Sequence, residues 1–96
     1  MAHRDASGVV GLPERLTLQE AVAVLERLGQ ALKQLPGPTV ILNASALKVF
    51  DSSAVAVLLE LRRALLVQGK TLVVQERPKR LDDLVGLYGV AELLPN

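Results

Sequence analysis

Residues 39–75, TVILNASALKVFDSSAVAVLLELRRALLVQGKTLVVQ, hold the pattern that decides the fold. The run TVILNA is β-branched, apolar and bounded by turn residues, which reads as a buried strand. Asp51 then opens a long apolar segment that reads as a helix to about Gln68. Gly69 stands where a helix C-terminal cap belongs. KTLVVQ, residues 70–75, is a second short β-branched run and reads as another strand.

The same alternation extends in both directions. GVVGL, residues 8–12, fits a short first strand closed by Pro13. In LTLQEAVAVLERLGQALKQL, residues 16–35, Leu18, Ala21, Val22, Leu25, Leu28 and Leu32 recur at helical spacing. Thr17 with Glu20 three residues later reads as a capping box that starts this helix, and PGP at 36–38 stops it. Pro78 fits the first turn of a last helix carrying Leu81, Leu84, Val85 and Tyr88 on one stripe. The expectation is one α/β domain over residues 8–96, with about four mostly parallel strands, three helices and right-handed connections. Residues 1–7 are expected to be a disordered tail.

Composition narrows the function classes. Ninety-six residues make one small domain. Half of them are apolar, so the chain is able to bury a core, but Phe50 and Tyr88 are the only aromatics. Single-stranded nucleic acids are bound on aromatic platforms, and duplexes by clustered cations; this chain has neither, at a net charge of +1. No nucleic-acid partner is expected. The absence of cysteine removes disulfides and thiolate chemistry. MAHRDASGVV lacks a signal-peptide apolar core, and Arg62 and Arg63 interrupt the longest apolar run. A cytoplasmic location is expected, so the Asn43-Ala44-Ser45 sequon is discounted.

On a helical wheel the segment after Asp51 is apolar over more than half its circumference. Ala54, Val57, Leu58, Leu61, Ala64 and Leu65 share one arc, wide enough to cover a sheet. Val55, Leu59 and Leu66 form a second arc beside Arg62, and Ala56, Glu60 and Arg63 lie on the remaining side. Two explanations stand for the second arc. Either the first helix packs on it, or it is an exposed strip that marks a protein interface.

Asp51, Ser52 and Ser53 offer three side-chain oxygens where a helix start needs one. With Asp51 as the cap, the two serines fall in the first turn. Two readings stand: both serines are ordinary N-terminal residues, or one is a phosphate acceptor. A phosphate there suits the helix dipole and would add about −1.5 to −2 charges beside an apolar surface.

The order of these elements, read from VILNASALKVFDSSAVAVLLELRRALLVQGKTLVVQERPKRLDDLVGLYGVAELL, resembles a STAS domain, the module named after sulfate transporters and anti-sigma factor antagonists. In that family an apolar strand, a short loop and Asp-Ser-Ser-Gly or Asp-Thr-Ala-Gly lead into a Leu-rich helix. Ala54 stands where glycine is usual, and Asn43 where aspartate is common. The resemblance implies a non-catalytic interaction module of STAS type. The LTLQEA and LYGVAELLP segments look more like the small cytoplasmic subunits of Mla-type ABC transporters, which maintain outer-membrane lipid asymmetry. In those the ATPase subunit is the partner and the hydroxyl right after the aspartate matters, which is Ser52 here. The alternative it implies is an anti-sigma factor antagonist, bound by an anti-sigma factor kinase that phosphorylates the second serine, here Ser53. The expected partner surface comprises Asp51, Ser52, Val55, Leu59 and Arg62. Any membrane association would then be indirect, through the transporter.

Catalysis has little support in the sequence. His3 is the only histidine and falls in the expected tail, and there is no Gly-x-Ser-x-Gly elbow or phosphate loop. Glu76, Asp82 and Asp83 form no recognisable metal pattern. Asp82 and Asp83, with Arg77, Lys79 and Arg80, are expected on a solvated surface, and no cofactor is implied.

Overall fold

A computed structural model describes residues 9–95. The tail expected at residues 1–7, with His3, lies outside the described residues. The elements run β1 (Val9–Gly11), β2 (Arg15–Leu16), α1 (Ala21–Lys33), β3 (Thr39–Asn43), β4 (Val49–Phe50), α2 (Ser53–Val67), β5 (Thr71–Gln75) and α3 (Lys79–Leu87). A 3-10 turn, Ala91–Leu93, follows. The expected α/β architecture with three helices and parallel strands is what the chain forms. Its strands divide between a three-stranded sheet in the order β1-β3-β5 and a two-residue pair, β2 with β4, all parallel.

With strand order β1-β3-β5, the right-handed rule for parallel crossovers sets α1 and α2 side by side on one face of the sheet. The register supports this. Val10, Leu42 and Val74 align across the three strands, as do Val40 and Leu72, and all five are buried. The alternate row, Val9, Ile41 and Val73, points to the other face and is only half-buried. The helices answer with Val24, Leu28 and Leu32 from α1, Ala54, Val57, Leu58, Leu61 and Leu65 from α2, and Leu81 and Val85 from α3.

Helix ends follow their local chemistry. Thr17 and Glu20 form half of the box: Glu20 Oε1 accepts the Thr17 backbone N–H at 2.8 Å and its hydroxyl at 2.6 Å, but Thr17 Oγ1 accepts the Gln19 N–H at 3.3 Å, and the Glu20 N–H goes to Thr17 O. Regular helix begins only at Ala21, after a tight turn through 18–20. That delay corrects the expected α1 stripe. Leu18 lies in the turn and Val22 on the flank, and they are 74% and 71% exposed. The C-termini of α2 and α3 close with matched bond pairs: Gly69 N–H to Leu66 O with Lys70 N–H to Leu65 O, and Gly89 N–H to Gly86 O with Val90 N–H to Val85 O. Both glycines adopt positive φ, +74° and +70°, as this termination requires.

The C-terminal segment is fastened to the core. Val74 N–H donates to Pro95 O at 2.9 Å beside β5, and Leu94 is fully buried. The Arg77 side chain, expected on a solvated surface, is 7% exposed. Its Nη1 donates to Leu94 O at 2.6 Å and its Nε lies 2.8 Å from Asp82 Oδ1, although the Nε–H does not point along that contact. A guanidinium this enclosed must meet acceptors, which explains its departure from the surface. Asp82, Asp83 and Lys79 remain exposed, with Lys79 Nζ donating to Asp83 at 3.3 Å.

Candidate functional site: the outer face at the start of α2

The pair β2 and β4 stands directly before α1 and α2, so its pairing holds the two helix starts together. Arg15 aligns with Val49 and Leu16 with Phe50, and Glu14 O accepts the N–H groups of Lys48 and Val49. Asn43, in place of the common aspartate, steadies the connecting loop: its Oδ1 accepts the Ser45 N–H at 2.8 Å. Arg80 closes the site from α3. Its guanidinium lies 4.5 Å from the Phe50 ring centroid, and its Nη2 donates to Phe50 O at 3.4 Å.

Asp51 uses both carboxylate oxygens. Oδ1 accepts the Ser53 N–H at 2.8 Å, which caps α2, and Oδ2 accepts the Leu18 N–H at 3.2 Å, which ties the approach to α1. The Ser53 backbone N–H above all, helped by the Leu18 N–H, holds the Asp51 carboxyl below its ordinary range, although burial, the second-largest effect, opposes it. Glu20 is lowered likewise, chiefly by the Thr17 hydroxyl and backbone N–H, with Arg15 assisting.

The two serines thereby separate. Ser53 is half-buried, and its backbone N–H is committed to Asp51. Ser52 is exposed, and its side chain makes no cap bond. Each borders a different groove. Ser53 lines an apolar groove of about 180 Å³ between the starts of α1 and α2, with Leu18, Val22, Ala56 and Glu60. Ser52 lines one of about 300 Å³ with Val55, Ala56, Leu59 and Tyr88. Ala56 belongs to both grooves, and its small exposed side chain is the low ridge between them.

Two expectations about α2 are corrected here. Helix α1 does not pack on the second arc; its Leu25 and Gly29 meet the side carrying Val57, Leu61 and Ala64. Of the second arc, Val55 and Leu59 instead border Tyr88 at the end of α3, while Leu66 is exposed beside the C-terminal segment. Val55 is consequently 3% exposed and forms the floor of the Ser52 groove rather than an open strip, while Leu59 is half-buried against the core. Arg62 is not brought to Ser52. Nearly three turns further along α2, it lines a separate groove with Leu66, Leu72, Glu92 and Pro95, where the C-terminal segment passes β5. Tyr88, placed on the core stripe of α3 from its spacing, is 53% exposed at the C-cap of that helix, where it borders the Ser52 groove.

The face therefore comprises the expected Asp51, Ser52 and Leu59, and adds Leu18, Val22, Ala56, Glu60 and Tyr88. It is an exposed apolar surface with hydroxyls and carboxylates at its edge, the composition of a protein contact. Among the described residues no group of histidines and carboxylates is arranged to hold a metal, and no helix is long and apolar enough to cross a membrane.

A family model described as "Mlab, STAS domain" matches residues 1–95. The chain belongs to the STAS family, in its MlaB type. The curated proteins gave no match. Membership accounts for the Asp51 motif at a helix start, for the parallel strands on either side of it, and for a role in regulation or binding through protein contacts.

Proposed function

We propose that this STAS domain is the non-catalytic cytoplasmic subunit of an Mla-type ABC transporter for lipid, where it binds and regulates or stabilises the ATPase subunit. The MlaB-type family supports the reading. The observation that carries it is the exposed apolar face around Ser52, whose hydroxyl is left unused by the helix cap while Asp51 does the capping. A hydroxyl at the edge of a permanent contact supplies one directional bond within an otherwise apolar interface. Association with the cytoplasmic face of the membrane then follows from the partner alone.

The alternative, an anti-sigma factor antagonist switched by phosphorylation at Ser53, fits less well. Ser53 is half-buried beside Asp51, whose Oδ1 accepts its backbone N–H at 2.8 Å, so a phosphate there would place a second negative group against that carboxylate. Affinity purification of the tagged chain from its native cells, with the captured proteins identified by mass, separates the readings. An ABC ATPase supports the transporter subunit. A serine kinase of the anti-sigma type in its place overturns it.

A further inference from the structure

Glu60 is the one charged residue lining either groove of the docking face. Its side chain is 57% exposed, and the nearest cation, Arg63 Nη1, lies 3.9 Å away, beyond hydrogen-bond reach, with its own side chain 79% exposed. Arg63 lines neither groove. The other carboxylate of the face, Asp51, already accepts two backbone N–H groups, so only Glu60 is uncommitted there. On the docking side the wall around Glu60 is Leu18, Ala21, Val22, Leu25, Ala56 and Val57; on its other side Glu60 borders a wider groove with Arg27 and Lys33, neither of which pairs with it.

A protein seated on this wall removes water from Glu60. An entirely apolar partner would leave a carboxylate desolvated without compensation, and an acidic one would repel it. A basic side chain within an apolar surface satisfies both the wall and the charge. We infer that the partner surface docking between the starts of α1 and α2 presents an apolar patch bearing a lysine or arginine that pairs with Glu60. The inference rests on the reading of this face as the ATPase-docking surface, and names the chemistry the ATPase must bring to it.

The test is calorimetric titration of the full chain with the purified ATPase subunit of the Mla-type transporter from the same organism, at about 0.05 M and about 0.5 M salt. Circular dichroism checks that Glu60→Gln and Glu60→Arg remain folded, as an exposed position allows. Glu60→Gln should weaken binding roughly tenfold at low salt and Glu60→Arg roughly a hundredfold, the range of close interfacial charge pairs. Glu60→Gln should also flatten the salt dependence of the wild type. Wild-type binding with unchanged affinity for Glu60→Arg overturns this inference and leaves the docking reading standing. Failure of the wild type to bind the ATPase overturns the docking reading, and this inference with it. Self-association of the wild type that Glu60→Arg abolishes in sedimentation makes the occupant a second copy, which also contradicts it.

Discussion

Ala56→Asp is the sharpest probe of the docking face, because Ala56 lines both grooves and is exposed. The fold should tolerate it. Ala56 is the fourth residue of α2, where the intrinsic cost of up to about 0.7 kcal/mol for aspartate is offset by about 0.3–1 kcal/mol from the helix N-terminus. Repulsion from Glu60 four residues on adds about 0.2–0.5 kcal/mol. The net change of about 0.5 kcal/mol corresponds to a Tm shift of roughly 2–4 °C for a chain of this size. Binding should respond far more strongly. A carboxylate buried on the apolar ridge, beside Glu60 and without a partner, costs about 3 kcal/mol or more, roughly a hundredfold in Kd. Thermal melting and titration against the ATPase read both quantities. Val67→Asp, at an 84% exposed position on the last turn of α2, is the control and should leave affinity unchanged. Unchanged affinity of Ala56→Asp, or equal loss with Val67→Asp, would refute the placement of the face.

Other expectations concern the frame that holds this face. Gly29→Ala should raise stability by about 0.5–1 kcal/mol in denaturant melts, because the added Cβ meets Leu61 Cδ2 at an ordinary 4.0 Å and α1 gains helix propensity. Arg77→Met should lower it by about 1–2 kcal/mol, since Leu94 O loses its donor, while the half-exposed Asp82 adds little. Faster hydrogen exchange at Val74, whose N–H is bonded to Pro95 O, should accompany that change. Asp51 and Glu20 are both lowered in the folded state, so the folded chain binds fewer protons than the unfolded one in acid. Their contribution is complete above their ordinary values of 3.8 and 4.5 and is lost as pH falls through the lower folded values. Asp51→Asn should therefore flatten the acid limb of a stability-against-pH curve and leave the neutral plateau less stable.

What the sequence makes legible is local. Glu20 reaches back to Thr17, three residues earlier; Gly69 ends α2; the β-branched runs at 39–43 and 71–75 form the paired strands. What it hides depends on partners distant along the chain. The second oxygen of Asp51 reaches Leu18 across 33 residues, and Arg77 reaches Leu94 across 17. β2 and β4 are two residues each, too short to carry an alternating pattern, yet they bring the two helix starts together. The wheel of α2 identifies two apolar arcs correctly, but which neighbour covers the second is a question of topology. Because α3 lies there, Val55 is floor and not rim. Helical spacing alone does not show that Leu18 precedes the regular helix, that Val22 falls on the outer flank of α1, or that Tyr88 caps α3 on its exposed side.

The serine pair tests the central claim most directly. Ser52 and Ser53 differ by about 100° around α2, and they border different grooves in different states of engagement. Ser52→Asp and Ser53→Asp, each shown folded by circular dichroism, are to be titrated against the purified ATPase subunit. If the face around Ser52 seats the transporter ATPase, Ser52→Asp abolishes the complex, a loss of roughly a hundredfold for an unpartnered buried charge, and Ser53→Asp weakens it less. Loss of binding by Ser53→Asp alone, with Ser52→Asp binding as the wild type does, would contradict the account.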